Sequence, residues 1–340
     1  ADAFGGIGTA IIVATFESAW SLVQRMLALD TRLDDIFSCM FVDEVHMIGE
    51  DRRGHCLEML LATFRAKAPS VQLLAASATV GNAAALGTWL DATVYQGTEA
   101  DRPVPLEKHV VSRNGRIWSF VDGTWQDTGR HEFLPQLAMD GIQEGGGVLV
   151  FCASQREAVD TARTLSQCSG TTKTLEGTDS LADAELRTCV SAGAAFHHAS
   201  LSADDKEWVE RAFARGDLKI LACTPTLAAG VNLPARRVII LHGYIGVPSN
   251  LLSATKIHQM AGRAGRTGFS DKGDCFLLEC PKVSLAVVKR LMASAPEPVV
   301  SVLDMDRAVL ESLAAARSLD VLHHVLASPS PAALARAVST

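Results

Sequence analysis

Short runs of β-branched and apolar residues recur along this chain, and most of them hand over to a longer stretch whose apolar residues fall at helical spacing. In the first hundred residues the runs are Ile11 to Thr15, Ile36 to Val42, Val71 to Ala75 and Thr93 to Tyr95. Helical patterns fill the gaps from Glu17 to about Ala28, from Gly54 to Lys67 and from Asn82 to Leu90, with Asn82 as the cap of the last. The alternation resumes after Gly145-Gly146-Gly147 with Val148 to Cys152, Ala194 to Phe196, Lys219 to Cys223, Arg237 to Leu241 and Asp274 to Leu278. Helices are predicted after the cap Ser154, over Ala203 to Ala214 and from Ser253 to Arg263. This order restricts the fold class to α/β, with parallel sheets covered by helices on both faces.

Two proline pairs punctuate the pattern, Arg102-Pro103-Val104-Pro105 and Ala295-Pro296-Glu297-Pro298, and a helix runs through neither. The expected domains are therefore 1–102, 103–295 and 296–340, the last of Ala- and Leu-rich helices. A length of 340 residues is enough for about two domains with real cores. Asp122-Gly123 between Arg116 to Val121 and Thr124 to Trp125 signals a hairpin, whose Trp118 and Trp125 are expected to pack a small sheet rather than stack bases. The Ser-, Thr- and Gly-rich stretch from Cys168 to Asp183 reads as a solvent loop or a disordered insertion.

A net charge of −7 argues against nucleic-acid binding by bulk electrostatics while leaving room for a local basic groove. The eight cysteines are scattered, with no Cys-x-x-Cys pair, so neither disulfides nor a zinc site is expected. No apolar stretch reaches membrane-spanning length, and the chain reads as intracellular, with no membrane partner.

The apolar run Phe41-Val42 ends in Asp43-Glu44, and His46 follows. An acid where a buried strand gives out suits Mg²⁺, and a neighbouring glutamate suits a water attacking a γ-phosphate. Thr15, Asp43 and Ser77 all fall at carboxyl ends of predicted strands, the edge where open α/β sheets take ligands. Gln259-Met260-Ala261-Gly262-Arg263-Ala264-Gly265-Arg266 sets two arginines three apart on a predicted helical face, with glycines that let backbone approach what they grip. Other conspicuous strings have plainer readings. His197-His198 and His323-His324 are adjacent pairs that point different ways, Gly5-Gly6-Ile7-Gly8 lacks a following Lys-Ser or Lys-Thr, and Asp204 to Glu207 is a solvated helix start.

Taken with Ser77-Ala78-Thr79 and the run from Thr224 to Pro234, these strings resemble the superfamily-two DExH helicases. The resemblance runs over nearly the whole chain and is strongest to the helicase domain of DNA polymerase theta and related archaeal and eukaryotic DNA repair helicases. It implies two RecA-like parallel-sheet domains, the first incomplete at its start, followed by the beginning of a winged-helix domain at 296–340. It implies ATP and Mg²⁺ as cofactors, with Asp43 holding the metal, Glu44 as general base, and His46 linking the ATP site to Ser77 and Thr79, which couple hydrolysis to domain movement. Gly230 and Asn232 would meet the nucleotide, Gln259 and Arg263 would lie near the phosphates, and Arg266 would be the arginine finger. Thr15, Arg53, Gly54 and Thr224 match positions that touch or frame the tracking strand. Gly243 to Asn250 sits where these helicases carry a duplex-splitting hairpin, with Tyr244 and Ile245 as its apolar tip.

The sequence departs from the family in one respect: it has no Gly-x-x-x-x-Gly-Lys-Ser/Thr, the cradle for the β- and γ-phosphates. The expectation is an internal piece of a longer protein, with residues before Arg102 poorly stable alone because a central strand is missing. The leading functional reading is part of an ATP-dependent 3′-to-5′ DNA helicase or translocase in repair, acting on single-stranded or forked DNA and resident in the nucleus. An RNA helicase of the same branch is one alternative. A catalytically silent nucleic-acid-binding module is another.

Overall fold

The computed structural model describes residues 11–50, 53–77, 80–169, 175–228, 233, 235–265, 271–303, 307–308 and 310–311. The chain divides into two compact units, residues 1–96 with 297–340, and residues 97–296.

The first unit contains helix α1 (Phe16–Ala28), strand β1 (Cys39–Val42), helix α2 (Gly54–Lys67), strand β2 (Gln72–Ala75) and helix α3 (Ala83–Leu90). Thr15 starts α1 by accepting the amide of Ser18. Helix α2 is its hub, buried without interruption from Gly54 to Phe64. Even its Glu58 is enclosed, which is tolerable because Ser301 donates a hydroxyl to the carboxylate at 2.6 Å. Glu311 likewise takes the indole N–H of Trp20 at 2.7 Å and lies 3.2 Å from His55 Nε2. The described residues after Pro296 thus pack on this unit, while most of the segment expected to open a winged helix lies outside the described residues. Asn82 precedes α3 as expected but does not cap it. Its amide instead bridges the backbone N–H and C=O of Val299, at 2.9 and 3.0 Å.

β1 and β2 pair in parallel from Cys39 with Gln72 to Val42 with Ala75. Two strands predicted beside them are absent: Ile11 to Thr15 and Thr93 to Tyr95 are extended or irregular chain. The reason is physical, since β-propensity becomes a strand only where a ladder partner and a buried face exist. Phe41 is 64% exposed and Leu74 45%, so the little sheet carries apolar side chains that the described residues leave partly open to solvent, and Val13, outside it, is 93% exposed.

The second unit is built on one eight-stranded sheet of order β5-β4-β3-β10-β9-β6-β8-β7. Its strands are β3 (Leu106–Val111), β4 (Arg116–Val121), β5 (Thr124–His131), β6 (Val148–Phe151), β7 (Ala194–His197), β8 (Ile220–Cys223), β9 (Arg237–Ile240) and β10 (Gly273–Leu278). From β3 to β7 across the sheet every neighbour is parallel, and the hairpin β4–β5 adds two antiparallel strands beyond β3. β6, β7, β8 and β9 are buried at every position, as strands sandwiched between helices must be. Those helices are α4 (Leu134–Gln143), α5 (Gln155–Ser169), α6 (Ala184–Ser191), α7 (Ala203–Ala214), α8 (Ala254–Ala261) and α9 (Leu285–Ala293). α5 runs into the stretch expected to be a loop, and β3, α4, α6 and α9 were not foreseen. Trp118 and Trp125 pack on the core, and the Lys289 ammonium lies 3.4 Å from the Trp118 ring centre.

At the amino edge of this sheet Arg237 is fully buried, donating to the Leu137 carbonyl at 2.8 Å and to Asp274 at 2.9 Å while its guanidinium lies over Phe276. His109 stacks on the same ring, and burial pushes its pKa down to about 4, so at neutral pH it is uncharged. Among the described residues no helix is long and apolar enough to cross a membrane.

Candidate functional site

The β1–β2 ladder does not stop where the strands do. Ala76 donates to the Val42 carbonyl at 2.8 Å and Val45 to the Ala76 carbonyl at 2.9 Å, so Asp43 to His46 is held against Ala76-Ser77. Between them Glu44 adopts the left-handed conformation, φ 54° and ψ 45°. That turn redirects the chain from the strand into a short 3₁₀ helix, Val45–Gly49. Asp43 Oδ1 accepts the Glu44 amide at 2.9 Å, which leaves its exposed carboxylate facing solvent at the strand end.

His46 Nδ1 lies 3.0 Å from Ser77 Oγ and 3.3 Å from Glu44 Oε2. The second contact is too poorly aligned to be a hydrogen bond, so Glu44 Oε2 is a buried carboxylate oxygen with no hydrogen-bond partner. An acid at a strand end, a second acid with an orphaned oxygen and an imidazole beside a hydroxyl fit the demands of a hydrated divalent cation and an attacking water. Thr79 lies outside the described residues.

Arg53 immediately precedes α2, and its Nε donates to Glu17 at 2.9 Å while its guanidinium lies 5.1 Å from the Phe16 ring centre. Thr15, the α1 cap, belongs to the same cluster. Glu17 is held below the usual carboxylate range by backbone hydrogen bonding, then by Thr15 and Arg53. Glu17 was missed in the sequence because it reads as an ordinary first-turn acid. Gly54 is explained by packing: a Cβ there would stand 2.0 Å from the Ile48 carbonyl oxygen.

In the second unit Thr224 is buried just beyond β8, and its amide donates to the His197 carbonyl at 3.3 Å. Gln259 lies on α8, half-buried. Arg263 is not on the predicted helical face, because α8 ends at Ala261 with Gly262 as its cap. Arg263 lies in the following turn, where its carbonyl accepts Ala235 N–H at 3.1 Å. Nor does Gly265 open space for a ligand. With φ +69° and a Cβ position 2.9 Å from Gly273 backbone, it lets two segments of this chain touch. Gly230, Asn232 and Arg266 lie outside the described residues.

Residues 243–251 form a tight reversal, with a bridge between Tyr244 and Leu251 and an Ile245 amide donating to Asn250 at 3.0 Å. Its tip is not Tyr244 and Ile245. Tyr244 stacks on His242 at 4.9 Å between ring centres, and Ile245 packs on the core. The apolar side chain presented at the turn is Val247, 58% exposed, and Gly246 (φ +66°) with Pro248 on either side was the signal that could have found it. Burial alone would lower His242, but its 2.5 Å contact with Glu157 raises its pKa, fixing the base of the reversal.

Residues 129–268 match the model of the helicase conserved C-terminal domain. The ATP-dependent DNA helicase Hel308 of Thermoplasma volcanium is 36% identical over 298 residues, 86% of this chain and 42% of that protein. Its counterpart in Thermoplasma acidophilum is 35% identical over 315 residues, 91% of this chain and 45% of that protein. Mouse DNA polymerase theta is 32% identical over 352 residues, 89% of this chain and 14% of that protein. The chain thus spans less than half the length of the Hel308 relatives it matches.

Proposed function

We propose, on the premise that this chain is a superfamily-two relative of the DNA repair helicases, that it carries the water-activating and strand-tracking parts of an ATP-driven DNA translocase. The observation that carries this reading is the laddered Asp43–His46 turn beside Ser77, with a buried Glu44 oxygen that faces His46 and accepts no hydrogen bond.

Asp43 would meet a Mg²⁺ ion carried on ATP, and that ion, when bound, neutralises charge on the β- and γ-phosphate oxygens. Glu44 Oε2 would accept the proton of the attacking water. His46 would hold Glu44 in place and report its state to Ser77, joined by Thr79. Gly230, Asn232, Gln259 and Arg263 would complete recognition of the nucleotide, and Arg266 would steady charge on the transferring phosphoryl group. Thr15, Arg53, Gly54 and Thr224 would follow a single DNA strand, moving 3′ to 5′ into a forked duplex. Val247 replaces Tyr244 and Ile245 as the residue that would meet the fork. Nuclear residence in a eukaryotic host belongs to the same reading.

The test is made on the full-length protein. Glu44→Gln is expected to lower DNA-stimulated ATP turnover by roughly a thousandfold or more while leaving single-strand binding intact. Unchanged turnover would reject Glu44 as the base. Matched DNA and RNA forks, unwound side by side, test the track.

A further inference from the structure

β3 and β10 run parallel with Glu107 opposite Asp274 and His109 opposite Phe276. Glu107 and His109 are two apart on β3, so they project from the same face. The outcome is one cluster at the amino edge of the large sheet, in which Glu107, His109 and Asp274 each bring a ligand atom to within 4.8 Å of the others. We propose that Glu107, His109 and Asp274 form a binding site for one divalent transition cation, Zn²⁺ by preference, that ties β3 to β10.

His109 has the form of a metal ligand. Its Nδ1 lies 2.8 Å from the Ser119 hydroxyl, and its Nε2 faces Glu107 Oε2 at 3.7 Å. A ring nitrogen engaged by a neighbouring polar group fixes the orientation of the other toward a metal. Stacking on Phe276, with ring centres 4.5 Å apart, limits the imidazole's rotation further. The ring is buried and uncharged, as a ligand must be.

Asp274 supplies an independent sign. It is 2% exposed, and while its Oδ2 faces Arg236 at 3.0 Å and Arg237 at 2.9 Å, its Oδ1 has no hydrogen-bond partner. A buried carboxylate oxygen without a donor is costly unless something fills its coordination. The two guanidiniums do not repel a cation unopposed, because Glu144 contacts both, at 2.5 Å and 3.2 Å, and Glu107 adds another acid. Lys272 reaches Glu107 at 3.5 Å from the solvent side and would swing out on binding. One imidazole and two carboxylates give a three-ligand set with a fourth position for water, a set suited to Zn²⁺. The site uses no cysteine and is independent of the nucleotide reading.

Co²⁺, which reports coordination through its visible absorption, is titrated into the intact chain at neutral pH and then displaced with Zn²⁺. Expected are saturation at one equivalent, no thiolate charge-transfer band, and loss of the signal in both His109→Gln and Glu107→Gln. Ser119→Ala, which removes only the partner of Nδ1, should weaken binding about tenfold or more. Glu107 is half-exposed, so its variant remains decisive if the His109 variant fails to fold. Absence of a saturable equivalent, retention of binding in Glu107→Gln, or a thiolate band that disappears when the exposed Cys39 and Cys168 become serine would overturn the proposal.

Discussion

Glu44 is the residue on which the candidate catalytic turn depends, and its left-handed backbone carries a conformational cost of about 1–2 kcal/mol in an L-residue. Glu44→Gly should therefore leave the chain as stable or stabilise it by up to about 1 kcal/mol in chemical denaturation, even as it removes the base of the proposed ATP turnover. Gly265→Ala has the opposite sign: positive φ and contact with Gly273 predict a loss of about 1–3 kcal/mol on the same measurement. Histidine protonation adds a pH dependence. Burial, reinforced by the neighbouring His197, lowers the pKa of His198, so the unfolded chain takes up the proton first as pH falls below about 6.5. The contribution of neutral His198 is present above that pH and is lost on acidification. A denaturation series from pH 7.5 to 5 should decline less steeply in His198→Gln. At this scale the strand-end acids were legible because residue type and position carry the message. The geometry of Gly265 and of Arg263 was not, since it rests on the backbone contact with Gly273 and on the Ala235 amide that the Arg263 carbonyl accepts, partners that the local pattern does not show.

Elements were legible where their pattern is local. α2 and α7 match their predicted ranges, and β6, β8 and β9 stand within a residue of theirs. Each has an apolar repeat that needs no distant partner to be recognised. β3 was hidden behind two prolines and mixed polarity, and it is a strand because β10 gives it a parallel ladder. Ile11 to Thr15 failed in the other direction, strongly apolar yet without a ladder among the described residues. α8 offers a clean test of a local signal. Ser253 accepts the Lys256 amide at 3.1 Å, and Ser253→Ala should cost about 1 kcal/mol, measurable in the melting of the chain.

The whole molecule pairs a closed sheet with an open one. β6 to β9 bury every residue, whereas β1 and β2 leave Phe41 and Leu74 in solvent. Limited proteolysis of this chain should therefore cut first within residues 11–96 and spare Val148 to Cys280, and an apolar dye should bind in proportion to the exposed face, falling in Phe41→Ser. Equal protection of both segments would contradict this. The eight-stranded sheet has a mechanical corollary. Tension applied along its parallel strands loads the hydrogen bonds between neighbours together in shear, whereas tension on the β4–β5 hairpin opens its bonds one after another. The central strands are thus a stiff strut and the hairpin a compliant flap, so a load taken up near Thr224 would travel along β8 to the buried amino edge with little stretch.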